Sequence, residues 1–174
     1  MIAGKDTICA GEDVSFNVNF TGQGPFKFKY LLNGIESPVL TSTQNTFPIS
    51  STNIQENQTF TLTFVEDAFC IGSANGIATV TTKAHPQIKL LIGRNRICFG
   101  DTTSIRFQGA NLSTFNAVLK GSDGSLYPLL NQNLSSSSNT ISPTQNTTFT
   151  LSNVGITNND CPLQLDSVVS IVVN

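Results

Sequence analysis

Apolar and polar residues alternate in several short stretches of the chain. In VSFNVNF (14–20), apolar residues occupy every second position, with Ser and Asn between them. FKFKYLL (26–32) places aromatic residues on one face, and Lys27 and Lys29 on the other. Because successive side chains of a β-strand point to opposite faces, this period of two predicts half-buried strands. No stretch has the 3.6-residue period of an amphipathic helix.

Further strands and turns follow from the same pattern. It predicts strands at IESPVL, TFTLTFV and IATVTT, and later at SIRFQ, FNAVLK, LYPLL, TTFTLSNV and SVVSIVV. In TFTLTFV, Phe60, Leu62 and Phe64 are expected to point inward. Asn-Gly at 33–34 predicts a tight hairpin, and Asn-Gly at 75–76 opens another strand. Short strands at about ten-residue spacing, separated by turns, are typical of a β-sandwich.

One phrase occurs twice. TICAGEDVS (7–15) is followed 89 residues later by RICFGDTTS (96–104). A repeat of this length predicts two tandem domains, 1–84 and 85–174. The fold class is therefore all-β, and each domain is expected to be an immunoglobulin-like β-sandwich of about seven antiparallel strands. The second copy has residues upstream of its phrase that the first lacks, so the first strand of the first domain is expected to be truncated.

Each repeat contains one early and one late cysteine. The early pair is Cys9 and Cys98, and the late pair is Cys70 and Cys161. Four cysteines allow three pairings, and the symmetry of the repeat favours Cys9 with Cys70 and Cys98 with Cys161. Matched pairs of this kind favour an oxidising compartment, although four buried thiols are an open alternative. A structural zinc site is not expected, because there is no Cys-x-x-Cys and His85 is the single histidine.

Composition narrows the function classes. Charged residues make up 11% of the chain, less than half the usual share. The net charge of −2 provides no electrostatic footprint for nucleic acid. No nucleophile motif or phosphate loop is present, so no enzyme activity, cofactor or catalytic residue is predicted. No apolar run is long enough to span a membrane.

The motifs resemble a known repeat family. ICAGEDVSFNVNFTGQGPFKFKYLLNG, followed by FTLTFVEDAFCIGSANGIATVT, is similar to the immunoglobulin-like repeats of large Bacteroidetes surface proteins. The second copy keeps Cys98, Gly100, TFTL and Cys161, but has GANLSTF in place of the Gly-Pro-aromatic turn. The resemblance covers nearly the whole chain. It implies a stalk segment of a cell-surface adhesin, of the gliding-motility type exported by type IX secretion.

This resemblance carries further expectations. The setting is extracellular, with the export signal and anchor outside the segment. The expected partners are neighbouring repeats, and possible further ones are a surface polysaccharide or another surface protein. The Asp-Ser/Thr-apolar acceptor pattern of Bacteroidetes envelopes marks Thr7, Thr102 and Ser167 as candidates for O-glycosylation. The alternative is a glycan- or protein-binding accessory module of a secreted multidomain enzyme.

Two groups of charged residues are further candidates. Four basic residues stand near the junction of the repeats and are either a solvated edge or a contact patch for an anionic glycan: Lys83, Lys89, Arg94 and Arg96. The acidic pairs at 12–13 and 66–67 could help to bind calcium. However, adjacent residues of a strand face opposite sides, and few oxygen ligands lie near these pairs in the sequence. No metal site is therefore predicted.

Overall fold

The computed structural model describes residues 1–174 and contains only β-strands, turns and loops. The chain forms two compact units, Met1–Lys83 and Ala84–Asn174. Each unit is an immunoglobulin-like β-sandwich with its own hydrophobic core, as the alternating pattern predicts. There is no helix long and apolar enough to cross a bilayer.

The first unit is built from eight strands in two sheets. The strands are β1 (Gly4–Cys9), β2 (Val14–Asn19), β3 (Phe26–Leu32), β4 (Ile35–Glu36), β5 (Leu40–Ser42), β6 (Thr46–Ser51), β7 (Gln58–Glu66) and β8 (Ile77–Lys83). One sheet has the order β1-β8-β7-β3-β4, with β5 also on β3, and the other is the pair β2-β6. The hairpin predicted at 33–34 joins β3 to β4, with Leu32 opposite Ile35.

The second unit follows the same plan with nine strands. They are β9 (Gln87–Ile92), β10 (Arg96–Ile97), β11 (Thr103–Ala110), β12 (Thr114–Gly121), β13 (Leu126–Asn133), β14 (Ser138–Ile141), β15 (Thr147–Ile156), β16 (Gln164–Asp166) and β17 (Val168–Val173). One sheet has the order β10-β17-β15-β12-β13, and the other the order β14-β11-β9-β16.

In each unit, strands from the beginning of the unit pair in parallel with strands from its end, whereas the sequence predicts antiparallel strands throughout. In the first unit all of β1 pairs with β8, from Gly4 opposite Ala78 to Cys9 opposite Lys83. In the second unit β10 pairs with β17 over two residues, and β9 pairs with β16 over three. Every other strand pair is antiparallel.

The two cores are filled differently. Five fully or almost fully buried phenylalanines dominate the first: Phe16, Phe20, Phe26, Phe28 and Phe60. The second core has three phenylalanines among isoleucines and leucines: Phe107, Phe115 and Phe149. Tyr30 and Tyr127 lie at the edges of these cores, with ring centroids 6.0 Å from Phe60 and 6.1 Å from Phe149 respectively.

The prediction that Phe64 points inward is wrong. The register between β3 and β7 shifts so that Phe64 lies opposite Lys29 while Leu62 lies opposite the next residue, Tyr30. Thr63 is the extra residue of a β-bulge, which reverses the facing of the residues beyond it. As a result Val65 packs against the core, and Phe64 lines a shallow depression with Lys29 on the outer face.

Candidate functional site

Neither expected cysteine pairing is present. Cys9 and Cys161 are disulfide-bonded, while Cys70 and Cys98 are exposed free thiols. The expectation of Cys9 with Cys70 and of Cys98 with Cys161 is therefore wrong, although the expected disulfide chemistry is present in the chain.

Strand direction explains this correction. Cys9 lies opposite Lys83 at the end of β8, whereas Cys70 lies in the loop that precedes β8. β8 has seven residues and at about 3.3 Å per residue spans about 20 Å. A disulfide requires Cα atoms within about 7 Å of each other. The two cysteines of the first unit are thus at opposite poles of the sandwich and cannot bond to each other.

The second unit repeats this geometry. Cys98 follows β10 at the end of β17, where the Phe99 amide donates to the Asn174 carbonyl over 3.0 Å. Cys161 precedes β16, whose first residue pairs with the first residue of β9. In both units the early cysteine lies where the chain leaves the sandwich, and the late cysteine lies where the chain enters it.

The repeated Cys-x-Gly-acid phrase encodes a tight turn after the first strand. The Glu12 amide donates to the Cys9 carbonyl over 3.1 Å, and the Asp101 amide donates to the Cys98 carbonyl over 3.0 Å. Gly11 has a φ of +92°, a backbone conformation that favours glycine. The acid closes the turn, since the Cys9 amide donates to a Glu12 carboxylate oxygen over 2.8 Å. Asp101 receives the Cys98 amide in the same way, over 3.4 Å.

The late cysteine of the first unit sits in a turn organised by Asp67. The amides of Phe69 and Cys70 both donate to Asp67 Oδ1, over 2.8 and 2.9 Å. These bonds stabilise the carboxylate and hold the pKa of Asp67 below its ordinary value. The negative charge of Asp67 in turn raises the pKa of the Cys70 thiol. Cys70 is therefore a weakly nucleophilic thiol near neutral pH.

Exposed apolar side chains flank both free thiols. Phe69 and Ile71, on either side of Cys70, are 78% and 73% exposed, and Phe99, next to Cys98, is 72% exposed. The sequence did not predict that these residues are exposed, because an apolar residue in a predicted loop carries no periodic signal. Both free thiols therefore have exposed apolar residues as their immediate sequence neighbours.

The amides of β1 divide into two sets. Thr7 donates its amide to Asp6 Oδ1 over 2.8 Å, and Cys9 donates to Glu12, so neither amide is used in the ladder with β8. Ala10, by contrast, donates to the Lys83 carbonyl over 2.9 Å. Because amides alternate in direction along a strand, those of Asp6 and Ile8 belong to the same set as Ala10 and face β8.

The O-glycosylation candidates lie in different local settings. Thr7 and Thr102 are exposed, the first within β1 and the second in the loop after Cys98. Ser167 is half-buried, in the single-residue break between β16 and β17. All three remain predictions.

Three of the four basic candidates lie in the second unit, and Lys83 ends the last strand of the first. The Lys89 ammonium group is 3.2 Å from Asp166, so its charge is partly compensated. Arg94 donates from its guanidinium to the Thr102 carbonyl over 3.0 Å. Arg96 is exposed on β10. The contact patch remains a prediction.

The acidic pairs have local partners. Asp13 accepts the Asn53 amide over 2.8 Å, and Glu66 lies 3.6 Å from the Lys27 ammonium group. With Glu12 and Asp67 engaged in the cysteine turns, each acid has a role within its own unit. No three His, Cys, Asp or Glu side chains come together in residues 1–174 to hold a metal ion.

A shallow groove crosses the outer face of the β9-β11-β16 sheet. Amide side chains line much of it, and Gln87 donates to Gln164 over 2.9 Å across the β9-β16 pair. Gln108 and the Lys89–Asp166 ion pair complete its polar surface, while Leu165 adds an apolar edge. It contains no aromatic residue on which a sugar ring could stack.

No family model matches the chain, and no curated protein matches it. Solved structures that are similar to it include tandem immunoglobulin domains and fibronectin(III)-like modules. A three-immunoglobulin-domain titin fragment is 15% identical over 99% of this chain and 63% of its own, with a TM-score of 0.45. The amphioxus IgVJ-C2 molecule is 12% identical over 95% and 99%, with a TM-score of 0.39. The fibronectin(III)-like modules of CbhA from Clostridium thermocellum are 10% identical over 99% and 89%, with a TM-score of 0.38.

Proposed function

We propose that the chain is a non-catalytic spacer segment of a repetitive extracellular surface protein, in which its two sandwiches transmit tension between other parts of that protein. The setting, a cell-surface stalk in adhesion or gliding motility, comes from the resemblance of the repeats to those of Bacteroidetes adhesins. The disulfide-bonded cysteines are compatible with an oxidising, extracellular location.

The observation that carries this proposal is that strands from the beginning of each unit pair in parallel with strands from its end. Two parallel strands have their N-terminal ends at the same pole, so the chain enters a unit at one pole and leaves at the other. Tension applied at the two ends of the unit then pulls β1 and β8 along their length in opposite directions. All the hydrogen bonds of that ladder are strained together, in shear, rather than opened one at a time. This geometry suits a segment that must stay folded under load.

The mechanical role is testable with a matched pair of proline variants in β1. Asp6→Pro removes an amide that faces β8, whereas Thr7→Pro removes one that bonds only to the Asp6 side chain. Both residues are exposed on an edge strand, and both changes remove the same Thr7–Asp6 bond. They differ in one ladder bond, worth about 1 kcal/mol. The measurement is the unfolding force of the full chain pulled from its ends under reducing conditions, so that no disulfide carries load.

Asp6→Pro is expected to lower one of the two unfolding forces clearly more than Thr7→Pro does. Equal forces in the two variants and the unaltered chain would contradict a mechanical role for the ladder. Far-ultraviolet circular dichroism of each variant verifies that both units are folded before pulling.

The second candidate, a binding module of a secreted enzyme, would use the groove on the β9-β11-β16 face. Its amides and its ion pair could hydrogen-bond a polysaccharide or an extended peptide. Gln108→Ala, on the β11 side of the groove, tests this candidate on a glycan array. Binding that this substitution abolishes would favour the module over the spacer.

A further inference from the structure

Of the two free thiols, one is the late cysteine of its repeat and the other is the early cysteine of its repeat. Cys70 is a late cysteine in the loop before β8, at the pole where the chain enters the first unit. Cys98 is an early cysteine at the pole where the chain leaves the second unit. When two copies of the chain stand head to tail, the exit pole of one copy meets the entry pole of the next. The two thiols are placed to meet at that junction.

The repeat equivalence shows that both positions can support a disulfide. Cys161, the counterpart of Cys70, is disulfide-bonded, and so is Cys9, the counterpart of Cys98. Cys9 and Cys98 occupy equivalent turns, and in each turn the cysteine amide donates to the acidic side chain three residues later. No disulfide can form between the two cysteines of one unit, because the early and late cysteines of a sandwich are at opposite poles.

We propose that Cys70 and Cys98 are complementary halves of a disulfide between repeats, in which the Cys98 thiol of one copy bonds the Cys70 thiol of the next. The partner of each is a second copy of this chain. The exposed residues Phe69, Ile71 and Phe99 are the sequence neighbours of the two cysteines and would be covered when the copies dock. The proposal rests on the stalk function for its biological setting.

The chemistry requires an oxidant, and a small-molecule disulfide such as glutathione disulfide supplies it. A thiolate attacks the oxidant, forming a mixed disulfide and releasing one glutathione thiol. The second protein thiolate then attacks the sulfur of the protein cysteine and releases the second glutathione thiol. The two cysteine thiols are thereby oxidised to one disulfide, while one glutathione disulfide is reduced to two thiols.

Two single variants of the full chain separate this pairing from general oxidation. Cys70→Ser leaves Cys98 as the only free thiol, and Cys98→Ser leaves only Cys70. Each variant alone, and an equimolar mixture of the two, is incubated with glutathione disulfide and analysed by non-reducing electrophoresis. The mixture is expected to produce at least about tenfold more dimer than either variant alone, because docking raises the effective concentration of the complementary thiols. Peptide mapping of that dimer should identify a Cys98–Cys70 link.

Three results are decisive. Dimer that forms chiefly in the mixture, with the Cys98–Cys70 link, supports the proposal. Homodimers of either variant at a rate comparable to the mixture would overturn it, since they indicate unselective oxidation of exposed thiols. No dimer in any sample would also overturn it. Such a failure leaves the proline-variant force measurement unaffected, so the stalk function and the inter-repeat disulfide can fail separately.

Discussion

The two units have the same strand order but divide their parallel pairing differently. In the first unit, one continuous ladder joins all six residues of β1 to β8. In the second, the pairing is split between two sheets, with two pairs between β10 and β17 and three between β9 and β16. A continuous ladder in shear must fail as a whole, whereas two short ladders can fail one after the other. The first unit is therefore expected to resist tension better than the second.

The cores differ in a way that bears on thermal stability rather than on force. Phe20 stacks on Phe26 with ring centroids 4.7 Å apart, and its centroid is 5.1 Å from that of Phe28. Phe28 in turn meets Phe47 edge-on at 5.1 Å. The second core has a single phenylalanine pair, Phe107 and Phe115, perpendicular at 5.0 Å. One fold thus tolerates an aromatic or an aliphatic filling, provided the inward positions stay apolar.

Removing Phe28, at the centre of the aromatic cluster, should have the largest effect on the stability of the first unit. Phe28 is fully buried, and Phe28→Ala leaves a cavity between Phe20 and Phe47. We expect the first unit to lose about 3 to 5 kcal/mol of unfolding free energy. Hydrogen exchange with peptide resolution measures each unit separately. The matched control is Phe149→Ala, which should destabilise the second unit alone; loss of protection in both units after either change would contradict their separate cores.

Substitution of Gly76 by alanine is expected to have the next largest effect on the unfolding free energy. It has a φ of +110°, and a Cβ added there would overlap the carbonyl oxygen of Ile2. Gly34 also has a positive φ, of +86°, but nothing lies within 4 Å of its added Cβ. Gly34→Ala should cost about 1 to 2 kcal/mol, the usual penalty of a left-handed conformation. Gly76→Ala should cost about 3 kcal/mol or more, because steric overlap with the backbone is added.

Thermal denaturation of the two glycine variants measures the difference. Equal melting temperatures would mean that the chain beside Gly76 moves aside at little cost. The expected result is a clearly lower melting temperature for Gly76→Ala, confined to the first unit.

A smaller effect is expected on the reactivity of the Cys70 thiol. Asp67→Asn keeps an oxygen acceptor for the amides of Phe69 and Cys70 but removes the negative charge. Since that charge raises the pKa of the Cys70 thiol, the variant should alkylate faster at Cys70 with iodoacetamide near neutral pH. The alkylation rate of Cys98 in the same molecule is the internal control and should not change. An unchanged Cys70 rate would show that Asp67 has no electrostatic influence on the thiol.

The same carboxylate predicts a pH dependence of the turn. The pKa of Asp67 is lowered in the folded turn, so the ionised form contributes stability at pH values above its unfolded pKa of about 4. That contribution is lost as the pH falls through the lower, folded pKa. Amide exchange at Phe69 and Cys70, corrected for intrinsic rates, should therefore show protection that decreases on acidification. In Asp67→Asn the protection should not change with pH over this range.

The alternating strands could be predicted from the sequence because each has one buried face. VSFNVNF and TTFTLSNV carry this signal, and both are strands in the structure. β1 (Gly4–Cys9) has four exposed residues in succession, so its sequence carries no period. IESPVL is divided into β4 and β5 because Pro38, between them, lacks an amide donor.

The cysteine pairing could not be predicted, because repeat symmetry states which residues correspond but not at which pole each one lies. That information is in the direction of β1 relative to β8, which depends on pairing between residues more than 70 positions apart, such as Gly4 with Ala78. The turn that follows the early cysteine is easier to predict from the sequence. CAGE and CFGD both place a glycine and then an acid after the cysteine, which is the pattern of a turn with a left-handed third residue.

The smallest expected effect concerns the ion pairs on the outer faces. Lys89 and Asp166 in the second unit are 3.2 Å apart, and Lys29 and Glu36 in the first are 3.0 Å apart. Because both pairs are in contact with solvent, Asp166→Asn and Glu36→Gln should each cost less than about 1 kcal/mol of unfolding free energy. A much larger loss in one unit, measured by chemical denaturation, would contradict this equivalence.

Asp166→Asn also leaves Lys89 without its compensating charge. If the basic residues form a contact patch, the variant should be retained longer than Glu36→Gln on an anionic polysaccharide column at low ionic strength. The two variants have the same net charge, so equal retention would mean that Lys89, Arg94 and Arg96 attract an anionic chain no more than the rest of the surface does. In that case the basic residues have the solvated, edge-protecting role instead.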